Sequence, residues 1–112
     1  MRNGWKSAIA VGMTLAVLGG PGATGAFGQG STSVERGKRV FAEQGCYGCH
    51  TVGKAGTAIG PDLTRIGAKY SEQSLTRWLT EPQQQKPTAH MPKIDLTDAE
   101  IRALAAYLAS LN

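Results

Sequence analysis

No hydrophobic run in this 112-residue chain is long enough to cross a membrane as a helix. The longest apolar stretch, Ser7 to Leu18, is about twelve residues, against the roughly 20 that a spanning helix needs. Cysteine is scarce. The two present, Cys46 and Cys49, cannot build the disulfide framework of many small exported domains. A bridge between them would close a tiny loop and stabilise little. Charge of one sign is not concentrated either. Twelve Lys and Arg face eight Asp and Glu for a net +4, and the absence of a Lys/Arg cluster argues against nucleic-acid binding. No useful run of alternating polar and apolar residues appears, nor any internal repeat, which argues against a β-sandwich or a solenoid.

What is present begins with an export pattern. Arg2 and Lys6 precede the Ser7–Leu18 run, Gly19-Gly20-Pro21 breaks it, and small residues follow. The pattern predicts a secretory signal peptide over 1–28, cut after Ala26 or Gly28, and a destination in the bacterial periplasm or on the outer face of the cytoplasmic membrane. Once it is cleaved, no stable membrane insertion is expected. Without Arg2 and Lys6 the formal charge falls from +4 to +2. Residues 29–32 read as a flexible polar lead and 33–112 as one domain. A domain so small has a modest core and usually needs a staple.

The domain reads as all-α. Ser33 could cap a first helix running to about Gln44, with Val34, Gly37, Val40 and Phe41 on one face. Gly37 in mid-helix costs about 1 kcal/mol relative to Ala, which suggests close approach of another helix. Gly45 ends this helix. Residues 51–68, rich in Gly, read as loop. Ser71 caps a second helix whose apolar face is Leu75, Trp78 and Leu79, and Glu81-Pro82 stops it. Residues 82–96, with Pro82, Pro87 and Pro92, read as an extended loop. Thr97-Asp98-Ala99-Glu100 is a capping box that opens a last helix with Ile101, Leu104, Ala105, Leu108 and Leu111 in one stripe, flanked by Tyr107. Loops of this length are uncommon in so small a domain. A central prosthetic group around which they wrap would explain them.

Cys46-Tyr47-Gly48-Cys49-His50 has the means to hold such a group. Two thiols three apart, followed at once by His, is the spacing that attaches c-type haem. Each thiol can add to one vinyl group, and His50 stands ready as an axial nitrogen ligand. A thioredoxin-like motif would need a βαβ context, which is missing. A zinc site needs four ligands; Cys46, Cys49, His50 and His90 reach that number, but three of them crowd one short segment. For the other axial position Met91 is the preferred ligand, because Met1 and Met13 leave with the signal peptide. His90, next to it, remains a competitor. The second ring nitrogen of His50 needs an acceptor, and Gly60-Pro61-Asp62-Leu63 could provide a Pro carbonyl or be an ordinary turn.

The order CYGCH, GPDLTRIG at 60–67, Trp78, Met91-Pro92-Lys93 and a terminal helix with Tyr107-Leu108 resembles a class I, mono-haem cytochrome c over about residues 34–111. Residues 60–111 are also similar to the cytochrome c domain fused to subunit II of bacterial haem–copper oxidases. The resemblance implies one haem c held by thioethers to Cys46 and Cys49, with His50 proximal and Met91 distal as the iron ligands. It implies that Pro61 presents its carbonyl to His50, that Trp78 lines the haem or reaches a propionate, and that Gly37 and Phe41 cross the last helix near Tyr107. The function implied is one-electron carriage by outer-sphere transfer rather than enzymatic catalysis. The expected form is a monomer with redox protein partners such as a terminal oxidase or a periplasmic dehydrogenase. A fixed haem subunit of a larger oxidoreductase is the second reading.

Overall fold

The computed structural model of the protein describes residues 29–112; the expected signal peptide at 1–28 lies outside the described residues. Four α-helices carry the fold: α1 Gln29–Glu43, α2 Glu72–Thr80, α3 Pro82–Gln85 and α4 Asp98–Ala109. Short 3-10 turns at Cys46–Gly48 and Ile66–Ala68 lie between α1 and α2. The all-α expectation holds, with one addition. Two-residue strands β1 (Thr51–Val52) and β2 (Ala55–Gly56) pair antiparallel, Thr51 opposite Gly56 and Val52 opposite Ala55.

The helix ends follow local chemistry. The Ser71 side chain accepts from the Ser74 N–H and opens α2. At α4 the Thr97 side chain accepts from the Glu100 N–H while the Glu100 carboxylate accepts from the Thr97 N–H, a closed capping box. Two expectations are corrected. α1 begins at Gln29, four residues ahead of the expected cap at Ser33; extending an established helix by one turn is cheap compared with nucleating it. Residues 82–85 are helical rather than extended, because Pro82 sits at the first turn of α3, where a missing N–H is no loss.

The core is the crossing of α1 and α4, closed on one side by α2. Val40 and Phe41 of α1, Leu75 and Leu79 of α2, and Ile101, Leu104, Ala105, Tyr107 and Leu108 of α4 form one buried cluster. Phe41 and Leu104 are each 1% exposed, and full burial of such a side chain stabilises by about 1.5–3 kcal/mol. At the crossing, Gly37 faces the α4 backbone. A Cβ there would collide with the Ala103 carbonyl and lie 2.7 Å from the Tyr107 Cβ. Only glycine lets the helices come this close, which accounts for its place in mid-helix.

Candidate haem-attachment site

The attachment motif is anchored to this core by its own middle residue. Beyond α1 the chain turns at Gly45 and enters the Cys46–Gly48 3-10 turn. Tyr47 places its ring edge-on to Phe41, with centroids 4.7 Å apart, and Phe41 meets Tyr107 in the same manner at 5.7 Å. Such edge-to-face pairs add about 0.5–1.5 kcal/mol beyond area burial. Burial and the neighbouring Tyr47 push the Tyr107 phenol up to about 12, so it stays protonated. The loop carrying both cysteines is thereby tied to the α1–α4 crossing.

Cys46 and Cys49 are both free thiols; Cys46 is half-buried and Cys49 exposed. Burial pushes the Cys46 thiol above its ordinary pKa. Cys46 also packs against the core cluster. The backbone N–H groups of Cys49 and His50 both bond to the Cys46 carbonyl, at 3.2 and 3.0 Å.

His50 Nδ1 lies 2.8 Å from the Pro61 carbonyl oxygen. A carbonyl can only accept, so Nδ1 carries the proton and donates. Nε2 is then the ring nitrogen with a free lone pair. The loop that brings Pro61 there is built closely around the ring. Gly60 N–H bonds to the Cys49 carbonyl at 2.5 Å, and a Cβ on Gly60 would stand 2.9 Å from His50 Cε1. The glycine hydrogen leaves the gap through which the loop reaches the imidazole.

A polar net holds that loop from the other side. Asp62 Oδ1 accepts from Thr51 Oγ1 and from the Thr64 N–H, each at 3.0 Å, and from the Thr64 hydroxyl. Thr64 Oγ1 in turn accepts from the Gly53 N–H at 2.8 Å. The bonds from Thr64 hold the Asp62 carboxyl below the usual carboxylate range, with Thr51 adding to the effect. These roles of Gly60, Asp62, Thr51, Thr64 and Tyr47 are not evident from the sequence. A signal exists for one pair: Asp-x-Thr is the spacing at which a side-chain oxygen bonds the backbone two residues on.

The remaining expected residues lie on α2 and in the segment before α4. Met91 is half-buried against the core cluster, whereas His90 is exposed. Trp78, on α2, donates its Nε1–H to the Met91 Sδ at 3.2 Å. Lys93 forms an ion pair with Glu81 at 3.4 Å. Among the described residues, no three of His, Cys, Asp and Glu converge as a metal site would require, so the zinc arrangement of Cys46, Cys49, His50 and His90 is not formed. The donor set does fit haem c: two unbridged thiols, one imidazole with Nε2 open, and one soft thioether against the same apolar cluster as Cys46.

The chain belongs to the cytochrome c family: residues 34–112 match its family model, described as Cytochrome c. Similar proteins include cytochrome c oxidase subunit 2 of Alkalihalophilus pseudofirmus, 37% identical over 72% of this chain and 26% of that one. A nitric oxide reductase subunit of Paracoccus denitrificans is 31% identical over 68% of this chain and 57% of that one. The chain thus spans about a quarter of the first relative and little more than half of the second. Among solved structures, the c-type cytochrome SorU from Sinorhizobium meliloti aligns with a TM-score of 0.57 and 26% identity, covering 72% of this chain and 92% of that one. The fold is that of a small class I cytochrome c, its cofactor is covalent haem c, and the protein is a haem-bearing electron carrier.

Proposed function

We propose that this chain is an exported one-electron carrier with His50 and Met91 as the axial ligands of its haem, and that it is not itself an enzyme. The observation that carries the reading is the His50–Pro61 hydrogen bond at 2.8 Å. It fixes the imidazole tautomer and ring plane. Haem c supplies a ferric/ferrous couple when bound. The chain's own residues do the rest. Cys46 and Cys49 would anchor the porphyrin by thioethers, His50 would present Nε2 on one side, and Met91 a neutral soft sulfur on the other, a pair that favours the ferrous state. Met91 is preferred to His90 because Met91 lies against the apolar cluster and His90 is exposed.

Two protein ligands leave no open position for a small-molecule substrate, so electrons would pass through an exposed edge near Cys49 to a docked partner. Contact of this kind is brief and made through a small interface. Lys54, Lys69 and Lys86 are exposed and available to steer an acidic partner. No helix among the described residues is long and apolar enough to cross a membrane. A second reading, a haem subunit bound in a larger complex, is favoured by the relatives named as oxidase and nitric oxide reductase subunits. In that case the protein should co-purify with a larger protein.

The test is the intact mass of the protein recovered from the periplasm, followed by two variants. The expected mass is that of a chain cut after Ala26 or Gly28 plus one haem. Met91→Ala should keep the haem and lose the low-spin Met–iron spectrum, while His90→Ala should keep both. Haem removed by acid–acetone, or a spectrum that changes with His90 and not with Met91, would overturn the assignment.

A further inference from the structure

We propose that Ile59 is a docking contact for the redox partner, and that the partner meets it with an uncharged apolar patch rather than an acidic one. The inference rests on the reading that electrons leave near Cys49, and it specifies the kind of surface that receives them.

Ile59 is 74% exposed, more than any other large hydrophobic side chain among the described residues. A single exposed apolar side chain is ordinary on a protein surface. This one is neither alone nor loose. Ala55, Ala58 and Pro61, close by in the chain, are exposed as well. The loop that carries them is bonded along the attachment motif. The Thr57 N–H bonds to the His50 carbonyl at 3.2 Å, and the Ile59 N–H to the Cys49 carbonyl at 3.1 Å. Gly56, at φ +103°, passes so near the His50 carbonyl that a Cβ there would collide with it. Ile59 is thus held beside Cys49, which is itself exposed.

The charge pattern selects the partner. From 44 to 61 the one charged side chain is Lys54, in the turn between β1 and β2. Asp62 follows, but its carboxylate is taken up by Thr51 and Thr64. Protein interfaces are depleted of charge at their centre and polar at their rim. Ile59 has the surroundings of a centre and Lys54 those of a rim. An acidic surface laid here would meet one cation and press its other carboxylates, unpaired, against aliphatic carbon, which is costly. An uncharged apolar patch meets no such cost and removes Ile59 from water.

A second copy of this chain carries such a patch, so electron self-exchange of the haem-loaded protein is the probe. One electron passes from the ferrous molecule to the ferric one; no bond forms or breaks and no proton moves. The rate is read from NMR line broadening in ferric–ferrous mixtures. Raising salt from about 0.01 to about 0.15 M cuts the Debye length from about 30 to about 8 Å and should change the wild-type rate less than about threefold. Charge-steered association would change by about 10- to 1000-fold. Ile59→Ser should slow exchange about tenfold, the loss of one buried aliphatic contact, with an unchanged absorption spectrum. Ile59→Lys should slow it further and make it accelerate with salt, because the two copies then repel. A strongly salt-dependent wild-type rate would overturn the proposal. An altered spectrum in Ile59→Ser would do the same, by placing the side chain against the haem. The two variants together separate this inference from the reading beneath it. If Ile59→Ser exchanges at the wild-type rate and Ile59→Lys is slowed, the exit stays near Cys49 and only the apolar contact fails. If both exchange at the wild-type rate, electrons leave elsewhere and the two fail together.

Discussion

His50 donates from Nδ1 to the Pro61 carbonyl across 2.8 Å, binding the attachment motif to a loop eleven residues further along. That carbonyl is held in place by the residue after it. Asp62 collects Thr51, the Thr64 backbone and the Thr64 hydroxyl on a single carboxylate oxygen. Asp62→Ala is therefore expected to loosen the imidazole without touching it. Haem should remain covalently attached, while the melting temperature falls and the ferric spectrum broadens as the His50 ring orientation spreads. Asp62→Asn, which keeps an acceptor oxygen, should do less. An Asp62→Ala protein with wild-type melting and spectrum would show that Pro61 stays in place without the net.

The α1–α4 crossing offers a test of opposite sign to the usual helix rule. In an exposed helix interior, Gly→Ala stabilises by about 1 kcal/mol. At Gly37 the added methyl would meet the Ala103 carbonyl and lie 2.7 Å from the Tyr107 Cβ. Neither backbone nor Cβ can swing aside, so Gly37→Ala should cost about 1–3 kcal/mol by overpacking. For a domain of this size that corresponds to a melting temperature lower by about 4–8 °C per kcal/mol. Thermal unfolding of the haem-loaded protein measures it, and an unchanged or raised midpoint would mean the helices slide apart freely.

Acid should weaken the fold through two carboxyls. Asp62 is held below the ordinary range mainly by Thr64, and Glu100 by the Thr97 N–H it caps. Each binds protons less readily when folded than when unfolded. Their stabilisation is present above the unfolded carboxylate range and is lost as pH falls through the depressed folded values. Melting temperature should therefore drop as pH is taken below about 4. A combined Asp62→Asn, Glu100→Gln protein, which keeps the acceptors and removes the charges, should show a shallower decline. Parallel curves for the two proteins would assign the acid sensitivity elsewhere.

Much of this is legible in the residues themselves, and the reason is locality. The Thr97–Glu100 capping box spans one helical turn, so spacing alone implies the hydrogen bonds that close it. Ser71 before α2 is the same case. The attachment motif is five consecutive residues, and Gly37 is conspicuous because its cost demands a compensating contact. What is not legible either obeys a rule with an exception or depends on distant segments. Pro82 reads as a stop, yet a helix restarts on it because its first turn needs no N–H. The Gly60 approach to His50 and the Asp62 net join loops about ten residues apart, and neither leaves a periodic trace. The sequence puts Trp78 on the apolar face of α2 and, by resemblance, beside the haem or a propionate; only the folded chain places its N–H on a sulfur thirteen residues away.

The meeting of Gly37 with Ala103 has a consequence for the order in which the protein is made. The two positions are separated by about sixty-five residues, and closing a loop of that length costs about 3–4 kcal/mol of chain entropy before any contact repays it. Contacts between such distant segments form slowly. Until α1 meets α4, Tyr47 has no joined Phe41–Tyr107 stack to pack on, and the segment bearing Cys46, Cys49 and His50 lies on an open stretch of chain. Attachment at Cys46 should therefore be easier before that crossing than after it, because the folded chain leaves this thiol half-buried.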